Sequence, residues 1–170
     1  MAKKDQQVCE DATFASIFRE QAEGLRNFLY YRCGNIQQAE DLVQEAFSKL
    51  WINCAKVSLE KSKSYLFTVA KNLFFNQVEH QKVVLRYEKD QGTSVTAESP
   101  QFILEEKEFA QLLNEAIANL PENQRIVFLM NRIDKKTYKE IAVLLDISVK
   151  AVEKRMHKAL VALRKVYNKV

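Results

Sequence analysis

Apolar side chains recur every three or four positions along most of this chain, the period of an amphipathic helix. Phe14, Ile17, Phe18, Leu25, Phe28 and Leu29 fall on one face of a first helix, which ends near Cys33-Gly34-Asn35. Asn35 is placed to cap a second helix, whose stripe is Ala39, Leu42, Val43, Ala46, Phe47 and Leu50. Trp51 continues that helix and is expected in the core. The polar run from Asn53 to Lys63 reads as a loop. A third helix starts near Ser64, turns Leu66, Val69, Ala70, Leu73 and Phe74 inward, and runs past His80 toward Leu85.

The pattern then lapses. From Tyr87 to Gln101 the chain is polar and has no apolar period, which predicts an interdomain tether. Helical spacing resumes near Phe102, and Pro121 stands where a first helical turn tolerates proline. No strand-like alternation of useful length occurs. The expected architecture is all-α: two small helical domains, 10–85 and 105–168, joined by a flexible linker over 86–104, the C-terminal one a helix-turn-helix domain.

The last two helical patterns carry the most specific chemistry. Ile141, Ala142, Leu144 and Leu145 give one helix its apolar face. In the next, Val152, Met156, Leu160 and Leu163 share a face, while Lys150, Lys154 and Lys158 lie roughly opposite. Ser148 can cap that last helix, leaving its first-turn amides outward. A short turn between such helices, with bases on the second, suits the DNA major groove. A basic helix face that is merely solvated shares the same spacing.

Charge distribution changes the balance. The net charge is only +4, yet from Glu122 onward twelve bases oppose five acids, a surplus of seven. The preceding residues therefore sum to −3. Such asymmetry suggests that one end meets a polyanion. Three unpaired cysteines and two histidines build no zinc pattern, and reduced, buried thiols are expected. There is no phosphate-binding glycine loop and no nucleophile motif, so no enzyme and no cofactor is expected. No apolar run is long enough to span a bilayer, and the expected location is cytoplasmic.

The order of residues goes further than their spacing. The run LPENQRIVFLMNRIDKKTYKEIAVLLDISVKAVEKRMHKALVALRK, from Leu120, closely resembles the DNA-binding module that ends bacterial RNA polymerase sigma factors. Leu120, Pro121, Arg125, Tyr138, Glu140, Ile141, Ala142, Leu145, Ile147, Ser148, Val152, Arg155, Ala159, Leu163 and Arg164 match. Asp146 replaces the usual glycine, which Asp can do because it enters the left-handed region. Ala151 replaces a common threonine. Upstream, AEDLVQEAFSKLW resembles the sigma helix that docks on core polymerase, with Asp41, Gln44, Glu45 and Ser48 on its polar face. KSYLFTVAKNLFFNQVEHQKVVLR resembles the helix that reads and melts the −10 element, with Tyr65 and Asn76 at positions usually tryptophan and aspartate.

The resemblance covers most of the chain and leaves no room for extra domains, so it is to the compact extracytoplasmic-function sigma factors. It implies that the chain binds core RNA polymerase and directs promoter-specific transcription initiation. Asp41, Gln44, Glu45 and Ser48 would contact polymerase. Lys71, Asn72, Asn76 and Lys82 would meet −10 DNA, with Arg86 available for phosphate. Ser148, Lys150, Lys154, Arg155 and Lys158 would meet the −35 element. The loop Asn53 to Lys63 would lie where the family captures a flipped base, although it has no aromatic residue. Membership also implies an anti-sigma partner, commonly membrane-tethered. The alternative is a stand-alone helix-turn-helix regulator that binds a duplex operator by itself.

Overall fold

A computed structural model describes residues 8–77 and 100–167, with side chains in the second span from Lys107 onward. Among the described residues there are seven α-helices, one 3-10 turn and no strand. The predicted −10 residues Lys82 and Arg86, and most of the predicted tether, lie outside the described residues.

The first helix, α1 (Asp11–Cys33), buries Leu25, Phe28 and Leu29 against α2 (Ile36–Ile52) and α3 (Leu59–Gln77). It stops because Gly34 adopts φ 66°, a left-handed conformation that glycine enters without a Cβ penalty. Asn35 then caps α2, its Oδ1 accepting the Gln38 N–H at 3.1 Å, as its position predicts. The predicted stripe of α2 is buried throughout.

Two details of this half differ from the sequence reading. Helix α3 begins at Leu59, so the predicted loop to Lys63 is shorter and includes a 3-10 turn at Cys54–Lys56. Its polar first turn concealed it. Ser62 is buried there, because its hydroxyl donates to the Leu59 carbonyl at 2.7 Å and needs no water. The cysteines differ too. Cys9 and Cys54 form a disulfide with Cα atoms 5.1 Å apart, and only Cys33 is a free thiol. Residues 8–10 fold back over the turn after α2, with Val8 buried in the core, and this brings together cysteines separated by 45 positions.

In the second half, α4 (Pro100–Ala118) begins inside the span predicted as linker and lies on α7 (Val149–Tyr167). Pro121 is the N-cap of α5 (Glu122–Arg132), one position earlier than expected. Helices α5, α6 (Tyr138–Leu145) and α7 surround a core of Ile126, Leu129, Met130, Ile141, Val152 and Met156. The two halves also touch: α1 packs on α5, and α3 on α6.

Candidate nucleic-acid interface

The basic hairpin is built by local hydrogen bonds. Thr137 opens α6 with a reciprocal cap, in which its Oγ1 accepts the Glu140 N–H at 3.3 Å and Glu140 accepts the Thr137 N–H at 2.7 Å. The Thr137 N–H, and after it the Thr137 hydroxyl, which donates to Glu140 Oε2 at 2.8 Å, hold the Glu140 carboxyl below its ordinary value. Helix α6 ends at Asp146 with φ 53°, the left-handed conformation expected of it. Ser148 then starts α7 by accepting the Ala151 N–H at 3.1 Å. Its hydroxyl proton remains available to a phosphate or base acceptor.

Helix α7 separates its residues by face. Val152, Met156 and Ala159 are buried, whereas Leu160 and Leu163 are half-buried beside α4. Lys150, Lys154 and Lys158 are exposed along one outer flank. Arg155 stands apart from them: it is half-buried and lines a crevice of about 260 Å³ between the two halves of the molecule. Lys71 of α3 lines the same crevice. The structure thus brings one predicted −35 side chain and one predicted −10 side chain together. Asn72 and Asn76 are exposed and line no part of it.

On α2, Asp41, Gln44, Glu45 and Ser48 are all exposed, forming a continuous outer face. Ser48 donates to the Gln44 carbonyl at 2.9 Å, and Glu45 pairs loosely with Lys49 at 3.9 Å. Trp51, expected in the core, is 44% exposed, because residues 44, 48 and 51 share one helical face and that face is the outer one. Its ring meets Phe14 edge-on at 5.0 Å, and Phe14 in turn meets Phe47. Phe18 is likewise 46% exposed, against the inward position predicted for it. An aromatic strip therefore borders the polar face.

The junction between the halves is polar at its edge and was not visible in the periodicity. Arg125, 5% exposed, donates Nε–H to the Tyr31 carbonyl at 2.9 Å and Nη2–H to the Arg32 carbonyl at 3.4 Å. Its Nη1 donates to the carbonyls of Ala118 and Leu120 at 2.9 and 3.0 Å. One guanidinium thereby satisfies carbonyls at the C-terminal ends of α1 and α4, where a positive charge also complements the helix dipole. Arg32 pairs with Glu122 at the start of α5, and its guanidinium carbon lies 4.9 Å from the centre of the Phe28 ring. Burial lowers the Arg32 pKa, with Glu122 opposing that shift. At the far end of α5, Asp134 accepts hydrogen bonds from Asn27 at 3.0 Å and Tyr31 at 2.8 Å. Burial pushes the Asp134 carboxyl up, while those two bonds pull it down.

Two family profiles fall on the two halves. Sigma-70 region 2 matches residues 17–83, and sigma-70 region 4 matches residues 110–163. The chain is 27% identical over 163 residues to the ECF RNA polymerase sigma factor SigW of Bacillus subtilis, covering 89% of this chain and 87% of that protein. It is 26% identical over 152 residues to the ferric citrate uptake sigma factor FecI of Escherichia coli, with 86% of each chain covered.

The chain belongs to the sigma-70 family, in its extracytoplasmic-function group.

It is an RNA polymerase sigma factor for transcription initiation. A stand-alone regulator would leave the region 2 match without a purpose. Among solved structures, the fold resembles RpoE in its complex with the anti-sigma factor NepR from Bartonella quintana. That likeness has TM-score 0.64 and 18% identity, and covers 91% of this chain and 96% of that one. It also resembles CnrH in complex with the cytosolic domain of CnrY, at TM-score 0.63 and 18% identity, covering 98% and 99%. Sigma factors in general are not enzymes. Among the described residues, no helix is long and apolar enough to cross a membrane.

Proposed function

We propose that this sigma factor docks on core polymerase through the outer face of α2 and reads promoter DNA with α3 and α7. The proposed domains are 10–85 and 105–168, with 86–104 between them as the tether, the last residues of which, from Pro100, form the start of α4; the proposed location is the cytoplasm. Asp41, Gln44, Glu45 and Ser48 form the docking face. Lys71, Asn72, Asn76 and Lys82 serve the −10 element, and Ser148, Lys150, Lys154, Arg155 and Lys158 the −35 element. The observation that carries this reading is the segregation on α7: exposed lysines on one flank, buried Val152 and Met156 on the other, and a capped N-terminus. An anti-sigma factor is the proposed regulatory partner, because a sigma factor of the same fold is seen in such a complex.

Two experiments test the assignment. Asp41→Ala combined with Glu45→Ala removes charge from an exposed face without touching the core. Affinity for core polymerase should fall by about 2 kcal/mol or more, roughly 30-fold. Helicity and thermal unfolding should be unchanged; undiminished affinity would remove α2 from the interface.

The second experiment separates base reading from charge. With holoenzyme, Arg155→Ala should cost about 1–3 kcal/mol on the preferred −35 sequence and relax discrimination at one position. Lys158→Ala should weaken all duplexes alike and reduce the salt slope by roughly one. Titrating −35 variants at several salt concentrations distinguishes the two. If both variants lose affinity uniformly, α7 is an electrostatic anchor and reads no sequence.

A further inference from the structure

The disulfide lies where the two proposed functional helices of the first module are joined. Helix α2 carries the proposed docking face and α3 the proposed −10 contacts, and residues 53–58 connect them. Among the described residues, the hydrogen bonds of that connection are local. Asn53 donates back to the Lys49 carbonyl, Lys56 to the Asn53 carbonyl, and Lys61 to the Ser58 carbonyl. Cys54 and Val57 add partial packing on the core. The bond to Cys9 therefore ties this connection covalently to a distant part of the chain. Residues 8–10 lie over it, with Val8 anchored in the core.

The tie also fixes a charge. Glu10 directly follows Cys9, is exposed, and lines a cavity of about 550 Å³ together with Leu59, Ser62 and Lys63 from the start of α3. With the disulfide closed, a carboxylate is held at the end of α3 that carries Lys61 and Lys63. DNA phosphate is repelled by the first and attracted by the other two. Opening the disulfide frees residues 8–10 and lets Glu10 move away.

Both sulfurs are accessible to exchange, since Cys9 and Cys54 are each half-buried rather than sealed in the core. One thiolate attacks a low-molecular-weight disulfide such as oxidised glutathione, breaking its S–S bond and releasing one thiol. The other cysteine then attacks the protein sulfur of the mixed disulfide and expels the second thiol. Two cysteine thiols are oxidised, one external disulfide is reduced, and both protons leave on the released thiols. Cys33 takes no part: its thiol donates to the Asn35 carbonyl, and burial keeps it protonated.

We propose that Cys9 and Cys54 form a thiol–disulfide exchange site for small-molecule disulfides, and that closing it weakens the hold of the first module on promoter DNA while leaving its docking on polymerase intact. The docking residues Asp41, Gln44, Glu45 and Ser48 lie earlier on α2 than the tied connection. The proposal rests on the assignment of α3 to −10 DNA given above.

The site is tested first on the free, full-length chain. Oxidised glutathione should close Cys9–Cys54 and leave Cys33 free, and dithiothreitol should reverse it. A chain that keeps all three thiols, or that joins Cys33 instead, overturns the site whatever the function. Holoenzyme is then assembled from oxidised or reduced chain, and its affinity is measured for a promoter selected from a random library by the reduced form. The oxidised form should bind that promoter about 5-fold or more weakly, at equal affinity for core polymerase. By linkage, bound promoter should make the disulfide easier to reduce by the same factor. Glu10→Gln should narrow the difference between the two states, and Cys33→Ser should retain it. Cys9→Ser with Cys54→Ser should abolish it, at the affinity of the reduced chain. The wild-type comparison uses one sequence in two states, so it decides the matter even where a serine variant folds poorly. Equal promoter affinity in the two states overturns the switch and leaves the sigma assignment standing. A reduced holoenzyme that selects no promoter overturns the −10 assignment and the switch with it.

Discussion

Arg125→Ala should destabilise the chain by about 3–5 kcal/mol, chiefly through the hydrogen bonds it removes and only secondarily through its methylene stem. Arg125 is 5% exposed, and its guanidinium donates to four carbonyls, two at the end of α1 and two at or just after the end of α4. Each hydrogen bond to a charged donor contributes about 1.5–3 kcal/mol, and a buried acceptor stripped of its donor costs about 1–3 kcal/mol. The four are not additive, since some carbonyls will find water once the modules loosen. Arg125→Lys should recover little, because an ammonium cannot span four acceptors in the fixed fork that guanidinium provides. Urea unfolding followed by circular dichroism measures both variants. An alanine variant within 1 kcal/mol of wild type would falsify the assignment of this residue as the junction between the helices.

Arg125 also shows where sequence reading reached its limit. Its position after leucine-proline marked the module, but only as a motif residue at the head of an apolar helix. Periodicity reports which face of a helix is buried; it does not report against which helix. The stripes of α2 and α6 were legible because one apolar face suffices to place them in a core. The caps at Asn35, Ser148 and Asp146 were legible because capping is local, set by residues within three positions. The contacts of Asn27, Tyr31 and Arg32 with Asp134, Arg125 and Glu122 join residues 90 or more positions apart. Such residues read as ordinary polar positions until the chain is folded.

Trp51 and Phe18 fail differently. Hydrophobicity by itself predicts burial, yet a large apolar ring at the edge of a polar helix face is what protein interfaces use. The exposure of Trp51 beside Gln44 and Ser48 follows from the helical register, which places residues 44, 48 and 51 on one line. The first turn of α3 was missed for the converse reason. Polar residues there suggested solvent, but Ser62 satisfies its hydroxyl within its own helix and can be buried.

The cysteine pair gives the largest condition-dependent effect. Reducing Cys9–Cys54 releases a closure spanning 45 positions, and a loop of that length restricts the unfolded chain by about 4 kcal/mol. Dithiothreitol should therefore lower the urea midpoint, and Cys9→Ser with Cys54→Ser should lower it equally while making it insensitive to reductant. The third thiol serves as an internal reference. Cys33 is half-buried, its thiol donates to the Asn35 carbonyl at 3.1 Å, and burial pushes its pKa up, so it remains protonated and a poor nucleophile for exchange. The oxidised chain, unfolded without reductant, should titrate as one thiol and the reduced chain as three. Cytosolic dithiols favour the reduced form, so the oxidised fraction should follow the redox poise around the protein. The structural consequence is local. Cys54 begins the turn that leads into α3, and Cys9 ties it to the start of α1, so reduction should free residues 8–10 before either helix yields. Hydrogen exchange should then rise first over residues 8–14 and 53–58. Three thiols in the oxidised sample, or a midpoint indifferent to reductant, would show that the two cysteines are neighbours without a bond.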